Sequence, residues 1–560
     1  MKLYKAALII AAILSASVQT DAQSFYKSKL PVKPRKGVTV AGTVECDGRP
    51  VEGVAVSDGY EVTRTDRKGA YYLKSEKKNP QVFITVPSGY EALREGAVPQ
   101  FWADFTEAPG IYERHDFRLS KVDQSRHAMI LLTDMHLANQ RNDVETFCGP
   151  YVDRLRLEVD SLKALGMPVY TMHLGDGAWD AYWYALDFPI GSLREALDKA
   201  DYPTPFFNTM GNHDNDGATP NSPTTDMDAA RPYMKAFGPR YYSFDIGGIH
   251  YVVLDNIEYK NEYKSKPKYP GISGSRNYNE RVTEEQLDWL RKDLADIPKT
   301  TPIVIGMHCP MLRWKGFAEK AVPRMDKKSV EQLLEIVETF DEVHTVSGHS
   351  HRQVITRLEG PKKRMDHNIS GTSGAWWWTA AFGGKNLCPD GNPVGYELFL
   401  GDGDSLRWEH RTFEYSPDTQ FWVWDMNKVK EYFANSGEYR AFRKYFPAWS
   451  DFSEVPANSV WIDLWAWDPE GTLKVTENGR ELPVEPFIGE NPMYNGTYPL
   501  QRTVWLNQYD EGWNKPKKTR LFRVQTATPD APVTVTWTDP FGKSYTQTLK
   551  RPAEFGLKDF

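Results

Sequence analysis

The sequence predicts a multidomain chain, with a central layered α/β domain between two β-sandwich domains. Three observations carry that prediction. The chain has 560 residues, and single hydrophobic cores stop growing at roughly 250–300 residues, so it divides into several domains. Both ends read as short alternating strands with turn residues between them. The middle reads as continuous apolar runs separated by helical patterns.

The elements follow in order. Lys2 and Lys5 precede an apolar stretch from Ala6 to about Val18, and Gln19-Thr20-Asp21-Ala22 follows. This is the pattern of a secretory signal peptide spanning residues 1–22, with cleavage expected after Ala22. The apolar run is short for a membrane span, and no later segment is apolar for long enough. No Cys lies near the cut, so no lipid anchor is expected. The reading is a periplasmic or secreted protein without a membrane span. After a Lys/Pro-containing linker come strands at 38–44, 51–56, 71–73 and 82–86, with turns at Asp47-Gly48 and Asp58-Gly59. These make a sandwich over 37–120.

From His127 the texture changes. Apolar strands are expected at 128–133, 169–174, 206–210, 250–254, 303–307 and 343–346. Helices are expected at 152–165, at 283–294 with Thr283 as cap, and at 329–340. This α/β domain spans 126–412. Alternation returns in 460–467, 473–476, 521–526 and 533–538, which predicts a β-rich C-terminal domain over 413–560. The junction around residue 371 is an alternative start for it.

Composition excludes some functions. The net charge of −7 argues against nonspecific nucleic-acid binding, which needs a basic footprint. Four lysines between Lys260 and Lys268 are diluted by Glu258 and Glu262. The 18 Trp and 29 Tyr suit sandwich cores, or a surface for sugars. Cys46, Cys148, Cys309 and Cys388 match no zinc-cluster spacing and read as free, structural thiols.

The chemistry sits where the α/β strands end, at Asp134-Met135-His136, Gly175-Asp176, Gly211-Asn212-His213-Asp214, His308, and Gly348-His349-Ser350-His351. Open α/β sheets place ligands at the carboxyl ends of their strands. Carboxylate plus imidazole suits zinc, iron or manganese. In extended chain, Asp134 and His136 point to one side, as do His349 and His351. Gly175, Gly211 and Gly348 are expected to turn the backbone sharply. Two metals roughly 3.5–4 Å apart clamp attacking and leaving oxygens, and Asp176 is the natural bridge. His173, His250, His344 and His367 read as core residues. Of Trp376, Trp377 and Trp378, at least one lines a cleft or a domain interface. Arg276 and Asn277 read as surface loop, with reach to a phosphate as the alternative.

These motifs, D-x-H, G-D, G-N-H-D, a lone His and G-H-x-H, resemble those of the calcineurin-like metallophosphoesterase superfamily over about residues 126–412. The resemblance implies an αββα layered core and two divalent or trivalent ions (Zn, Mn or Fe). It implies that Asp134, His136 and His351 hold one ion, that Asn212, His308 and His349 hold the other, and that Asp176 bridges them. It further implies His213 as general acid and Asp214 as the residue that orients it. Many members have G-D-x-x-D, whereas here the next acid is Asp180, four residues after Asp176. "GTVECDGRPVEGVAVSDG" resembles a carboxypeptidase-regulatory-like sandwich. The three-part order, with "GTSGAWWW" near the last junction, resembles an arrangement in exported proteins of gut-type Bacteroidota.

The expected function is hydrolysis of a phosphate mono- or diester, small-molecule or glycan-linked, by a metal-activated hydroxide. The competing readings are a secreted glycan- or polymer-binding protein without catalysis, and a metallohydrolase acting on another bond.

Overall fold

The computed structural model describes residues 26–557 apart from 381–383, 508 and 510–513. The expected signal segment, 1–22, lies outside the described residues.

The N-terminal domain is a sandwich of two sheets. Strand Val40–Cys46 organises the first, pairing with Ala70–Leu73, Phe117–Lys121, Glu113–Arg114 and Arg49–Pro50. The second runs Trp102–Asp104, Gln81–Ile84, Ala55–Ser57, Val62–Arg64. Asp47 and Gly48 both have positive φ (52° and 73°), as a two-residue hairpin loop requires, and they set the Cys46–Arg49 register. The strand expected at 51–56 is broken. Gly53 (φ 83°) interrupts it, so only Ala55–Ser57 pairs.

The central domain is α/β and layered, with two sheets face to face and helices outside. Its elements are β1 (Arg126–Leu132), α1 (Val152–Ala164), β2 (Val169–His173), α2 (Ile190–Lys199), β3 (Phe206–Asn208), α3 (Thr225–Phe237), β4 (Tyr242–Ile246) and β5 (Ile249–Val253). There follow α4 (Glu284–Asp293), β6 (Ile303–Gly306), α5 (Lys327–Ile336), β7 (Glu342–Ser347), β8 (Val354–Arg357), β9 (Lys363–Asn368), β10 (Gly395–Asp402) and β11 (Ser405–Thr412). One sheet has the order β3-β2-β1-β10-β11 and the other β4-β5-β6-β7-β9-β8. Strands β1, β2 and β3 are parallel, as are β5, β6, β7 and β9. Their carboxyl ends therefore gather at one edge of the two layers.

The sheets meet through side chains such as Phe207 on Phe244, stacked at 3.9 Å. On the outer face of the second sheet, Leu333 and Val337 pack near Ile305 and Val343. Helix α5 starts earlier than expected because the Asp326 carboxylate accepts the Ser329 N–H. Thr283 precedes α4 as expected, but its side chain makes no capping bond. The strand series does not close at 346. Strand β10 returns to pair antiparallel with β1.

The N-terminal sandwich shares one continuous core with this domain. Phe101 lies 4.7 Å from Tyr242 and Phe83 lies 6.2 Å from Trp289.

The C-terminal region has two four-stranded sheets and a helical layer that the alternation pattern did not predict: Met426–Asn435, Gly437–Tyr445 and Pro492–Leu500. The helices explain why strand Ser459–Leu464 is buried at every position. Val460, Ile462 and Leu464 face the sandwich, while Trp461 and nearby Trp465 face the helices. Among the described residues, no helix is long and apolar enough to cross a membrane.

Candidate metal centre

All seven predicted ligands converge at the carboxyl edge of the parallel strands. Asp134 and His136 follow β1, Asp176 follows β2, Asn212 follows β3, His308 follows β6, and His349 and His351 follow β7. Asp134, His136, Asp176, Asn212, His308 and His351 are buried, while the His349 side chain keeps 15% exposure.

They form two groups. In the first, His136 Nε2 lies 3.0 Å from His351 Nε2, and Asp134 Oδ1 lies 3.6 Å from His136 and 3.2 Å from His351. In the second, His308 Nε2 lies 3.0 Å from Asn212 Oδ1 and 3.1 Å from His349 Nδ1, and Asn212 Oδ1 lies 2.9 Å from His349 Nδ1. Asp176 Oδ2 belongs to both, at 3.6 Å from His136 and 3.1 Å from His308.

The donor set fits metal ions. Bonds of about 2.0–2.2 Å place neighbouring ligand atoms about 3–3.5 Å apart, which is the spacing found. His308 Nδ1 donates to the Leu174 carbonyl at 2.8 Å, and His351 Nδ1 donates to the Gly374 carbonyl. Each Nε2 is then a bare lone pair aimed at other acceptors, and Asp134 Oδ1 is buried without a hydrogen-bond donor. Converging lone pairs ask for a cation. Electrostatics agree. Burial opposes charge on Asp176, but His308 and His213 hold its carboxyl well below the usual range. Burial likewise opposes charge on His308, yet Asp176 lifts it to about 9. A field that holds a proton there equally favours a metal ion.

The local backbone differs from expectation. Asp134, His136, Asp176, His349 and His351 all have left-handed φ, between 46° and 64°. The two D-x-H-like pairs are therefore not extended strand ends with side chains on one side. Each ligand sits on its own tight kink, which re-aims it inward. The glycines also act differently from each other. Gly175 does turn with φ 91°. Gly211 is extended, and Gly348 is not left-handed. What both need is space. A Cβ on Gly211 would lie 2.2 Å from the Asp176 nitrogen, and one on Gly348 would lie 1.7 Å from Thr133 Oγ1.

Asp214 does not orient His213. Its Oδ2 accepts the N–H groups of Asp176 and Gly211, and its Oδ1 accepts that of Ala178, so it staples two ligand loops together. Burial and the charge of Asp176 push its carboxyl up to about 7. His213 is held instead by Asp180, with Nδ1 2.6 Å from Oδ1, and Arg276 reaches the same oxygen at 2.6 Å. Burial alone would lower His213, but Asp176 and Asp180 raise it.

Other neighbours were not legible as such. Glu280 lies 3.5 Å from His349 Nε2 while pairing with Arg324 at 3.0 Å. Trp179 packs edge-on to His136 at 5.3 Å. The three tryptophans divide. Trp377 is buried and donates to the Met135 carbonyl at 2.9 Å, Trp376 lies 4.8 Å from His351, and Trp378 carries the Arg141 guanidinium at 3.3 Å. Asn277 turns to Glu262. The four cysteines are free.

Residues 129–353 match the model for calcineurin-like phosphoesterase, residues 38–122 the model for its N-terminal part, and residues 366–545 the model for its C-terminal part. The chain belongs to the calcineurin-like phosphoesterases. It is a family of metal-dependent hydrolases. No curated protein matches this calcineurin-like phosphoesterase in a direct search. Among solved structures it is similar to a purple acid phosphatase from yellow lupin (Lupinus luteus) seeds, with 10% identity and TM-score 0.34 over 65% of this chain and 67% of that one. A 5'-nucleotidase from Candida albicans gives 12% identity and TM-score 0.29 over 51% and 52%. An NAD nucleotidase from Haemophilus influenzae gives 11% and 0.27 over 51% and 50%. The chain thus spans about half the length of these two nucleotidases.

Proposed function

We propose that this protein hydrolyses a phosphate mono- or diester at a two-metal site. The observation that carries the reading is the Asp176 carboxylate, one oxygen of which faces both His136 and His308. That makes two ligand groups into one site. Asp134, His136 and His351 would hold one ion, Asn212, His308 and His349 the other, with Asp176 between them. When bound, two such ions supply a water acidic enough to ionise near neutrality and a clamp on the phosphoryl oxygens.

The chain's own residues do the rest. Asp180 engages His213 Nδ1, which leaves Nε2 as the atom that meets the leaving oxygen. A raised imidazole pKa keeps a proton available there, so His213 acts as general acid. Arg276, bound to the same Asp180 oxygen, fixes that carboxylate. Asp214 keeps the loops of Asp176 and Asn212 in register through the backbone. The basic, apolar and small-residue order of residues 1–22 supports export, with processing after Ala22.

The test is metal content of the purified mature protein with hydrolysis of a chromogenic phosphomonoester and diester. About two ions per chain with turnover of either ester is the expected result. No bound metal and no turnover after addition of manganese or zinc would return the chain to the binding-protein reading.

A further inference from the structure

The four candidate ligand imidazoles are not backed alike. His308 and His351 keep their Nδ1 protons on the carbonyls of Leu174 and Gly374 and turn Nε2 into the site. His136 also turns Nε2 inward, and its Nδ1 is buried without a hydrogen-bond partner. His349 is reversed. Its Nδ1 faces the site, 2.9 Å from Asn212 Oδ1 and 3.1 Å from His308 Nε2. Its Nε2 faces Glu280 Oε1 at 3.5 Å. Of the four, His349 is the one with a carboxylate behind the ring, on the side away from the site.

The reversed ring faces a choice of tautomer. A ligand imidazole is neutral and binds through its unprotonated nitrogen. On His349 a proton at Nδ1 would point at Asn212 Oδ1 and His308 Nε2, both acceptors, and would block an ion. A proton at Nε2 leaves Nδ1 bare. The inner acceptors therefore favour the blocking tautomer, and the outer side of the ring must favour the other. Glu280 does so. At 3.5 Å the contact is longer than a good hydrogen bond, but the carboxylate charge still stabilises the N–H that points at it.

Glu280 is built into its place. It ends the short strand Tyr278–Glu280, which pairs with Ile257–Tyr259. Asn256, just before that partner strand, exchanges two bonds with the Cys309 backbone, at 2.8 and 3.0 Å. The strand is thereby tied to the loop that carries His308. The Glu280 carbonyl accepts the Asp326 N–H at 2.8 Å, and the Met311 carbonyl accepts the Arg324 N–H at 3.0 Å. Arg324, fixed by that backbone, reaches Glu280 Oε1 at 3.0 Å. The Glu280 side chain keeps 24% exposure, so a small anion can reach its position from solvent.

We infer that Glu280, braced by Arg324, is a positioning residue that holds His349 in the tautomer whose Nδ1 can take an ion. The inference rests on the two-metal phosphoesterase reading and deepens it. It makes the group of Asn212, His308 and His349 depend on a residue that the group of Asp134, His136 and His351 does not touch.

The test loads the mature protein with zinc and strips it with graded chelator. The wild type should hold about two ions per chain. In Glu280→Gln one of the two should come off at roughly 10- to 100-fold weaker competition, and the other within about threefold of its wild-type level. Glu280→Gly should behave alike, and formate, but not chloride at equal ionic strength, should restore its weaker ion. Unchanged retention of both ions in Glu280→Gln would overturn the inference. So would equal loss of both in Glu280→Gly without a response to formate, which marks a merely structural residue. If neither variant folds, proton–nitrogen NMR of the metal-stripped wild type decides, with the His349 ring identified by the signal missing from His349→Gln. A proton on Nε2 upholds the inference, and one on Nδ1 overturns it. One ion selectively weakened, with no ester hydrolysed by the wild type, would uphold Glu280 and defeat the phosphoesterase reading. Ester turnover with both ions indifferent to Glu280 would do the reverse.

Discussion

The central domain buries histidines in two places, at the ends of its strands and within them. Within the strands, His127, His173 and His250 each have a protein partner that settles their state, while both ring nitrogens of His410 in β11 are buried without one. His127 in β1 meets the Tyr251 hydroxyl at 2.8 Å, and His173 in β2 meets Asn208 at 2.6 Å. Burial pushes both down to about 4, so both are neutral. His250 in β5 lies between Asp245 at 2.6 Å and Asp293 at 3.0 Å. Burial opposes its charge, but the two carboxylates lift it to about 10. At the strand ends, His136, His308, His349 and His351 face one another and acceptor oxygens. Burial is nearly the same in both places. What sets the strand-end group apart is that its remaining ring nitrogens converge on one another and on acceptor oxygens.

That contrast can be broken most forcefully at Asp176. Asp176→Asn weakens both ligand groups at once, so metal content and turnover should fall together, turnover by more than about a thousandfold. Metal retained at full stoichiometry would show that the carboxylate is not shared. Next comes His213, which borders the ligands but is held by Asp180. His213→Ala should keep the metal and lose roughly a hundred- to ten-thousandfold in kcat. A fully active variant would remove it as general acid. Asp180→Asn should cost less, about 10- to 100-fold, and should shift the acidic and basic limbs of the pH–rate profile. Asp214→Asn should not reproduce that shift, since Asp214 touches only backbone N–H groups in the structure.

The effect within the strands is on stability and leaves turnover aside. His250 has its folded-state pKa raised from 6.5 to about 10. Its ion-pair contribution is therefore complete below about pH 6.5, declines as pH rises, and is gone above about pH 10. The decline should approach about 1.4 kcal/mol per pH unit within that window. Denaturant titrations at pH 7 and pH 9 should show this loss in the wild type and a flatter dependence in His250→Gln. An equal slope in both would mean that His250 is neutral in the fold.

Much of this was legible in the sequence, for a physical reason. Buried parallel strands are continuous apolar runs, so the residues that end them, Asp134, Asp176, Asn212, His308 and His349, can be picked out by eye. The kinks at these residues were not legible, because left-handed φ at a non-glycine residue is imposed by packing and not by propensity. Nor was the choice between Asp180 and Asp214 as the partner of His213. Asp214 is adjacent in sequence, but it turns back to the Asp176 loop, whereas Asp180 arrives from another segment. The helices 426–435 and 437–445 were missed for a similar reason. Their aromatic residues pack on a tryptophan-lined sheet face that only the fold creates. The order of β10 beside β1 is a long-range pairing that no local pattern announces.

The left-handed ligand residues also bear on the order of assembly. Each such kink is unfavourable for an isolated chain by roughly 1–2 kcal/mol, so the five of them are not stable as free loops. They become tolerable only after the two sheets have docked and Gly211 and Gly348 have let neighbouring loops close in. The candidate metal centre should therefore be the last region of the central domain to become protected during refolding and the first to open on warming. Pulse-labelling hydrogen exchange would read this directly. Amides at 134–136 and 349–351 should gain protection after those of β1 and β7, the strands from which they extend.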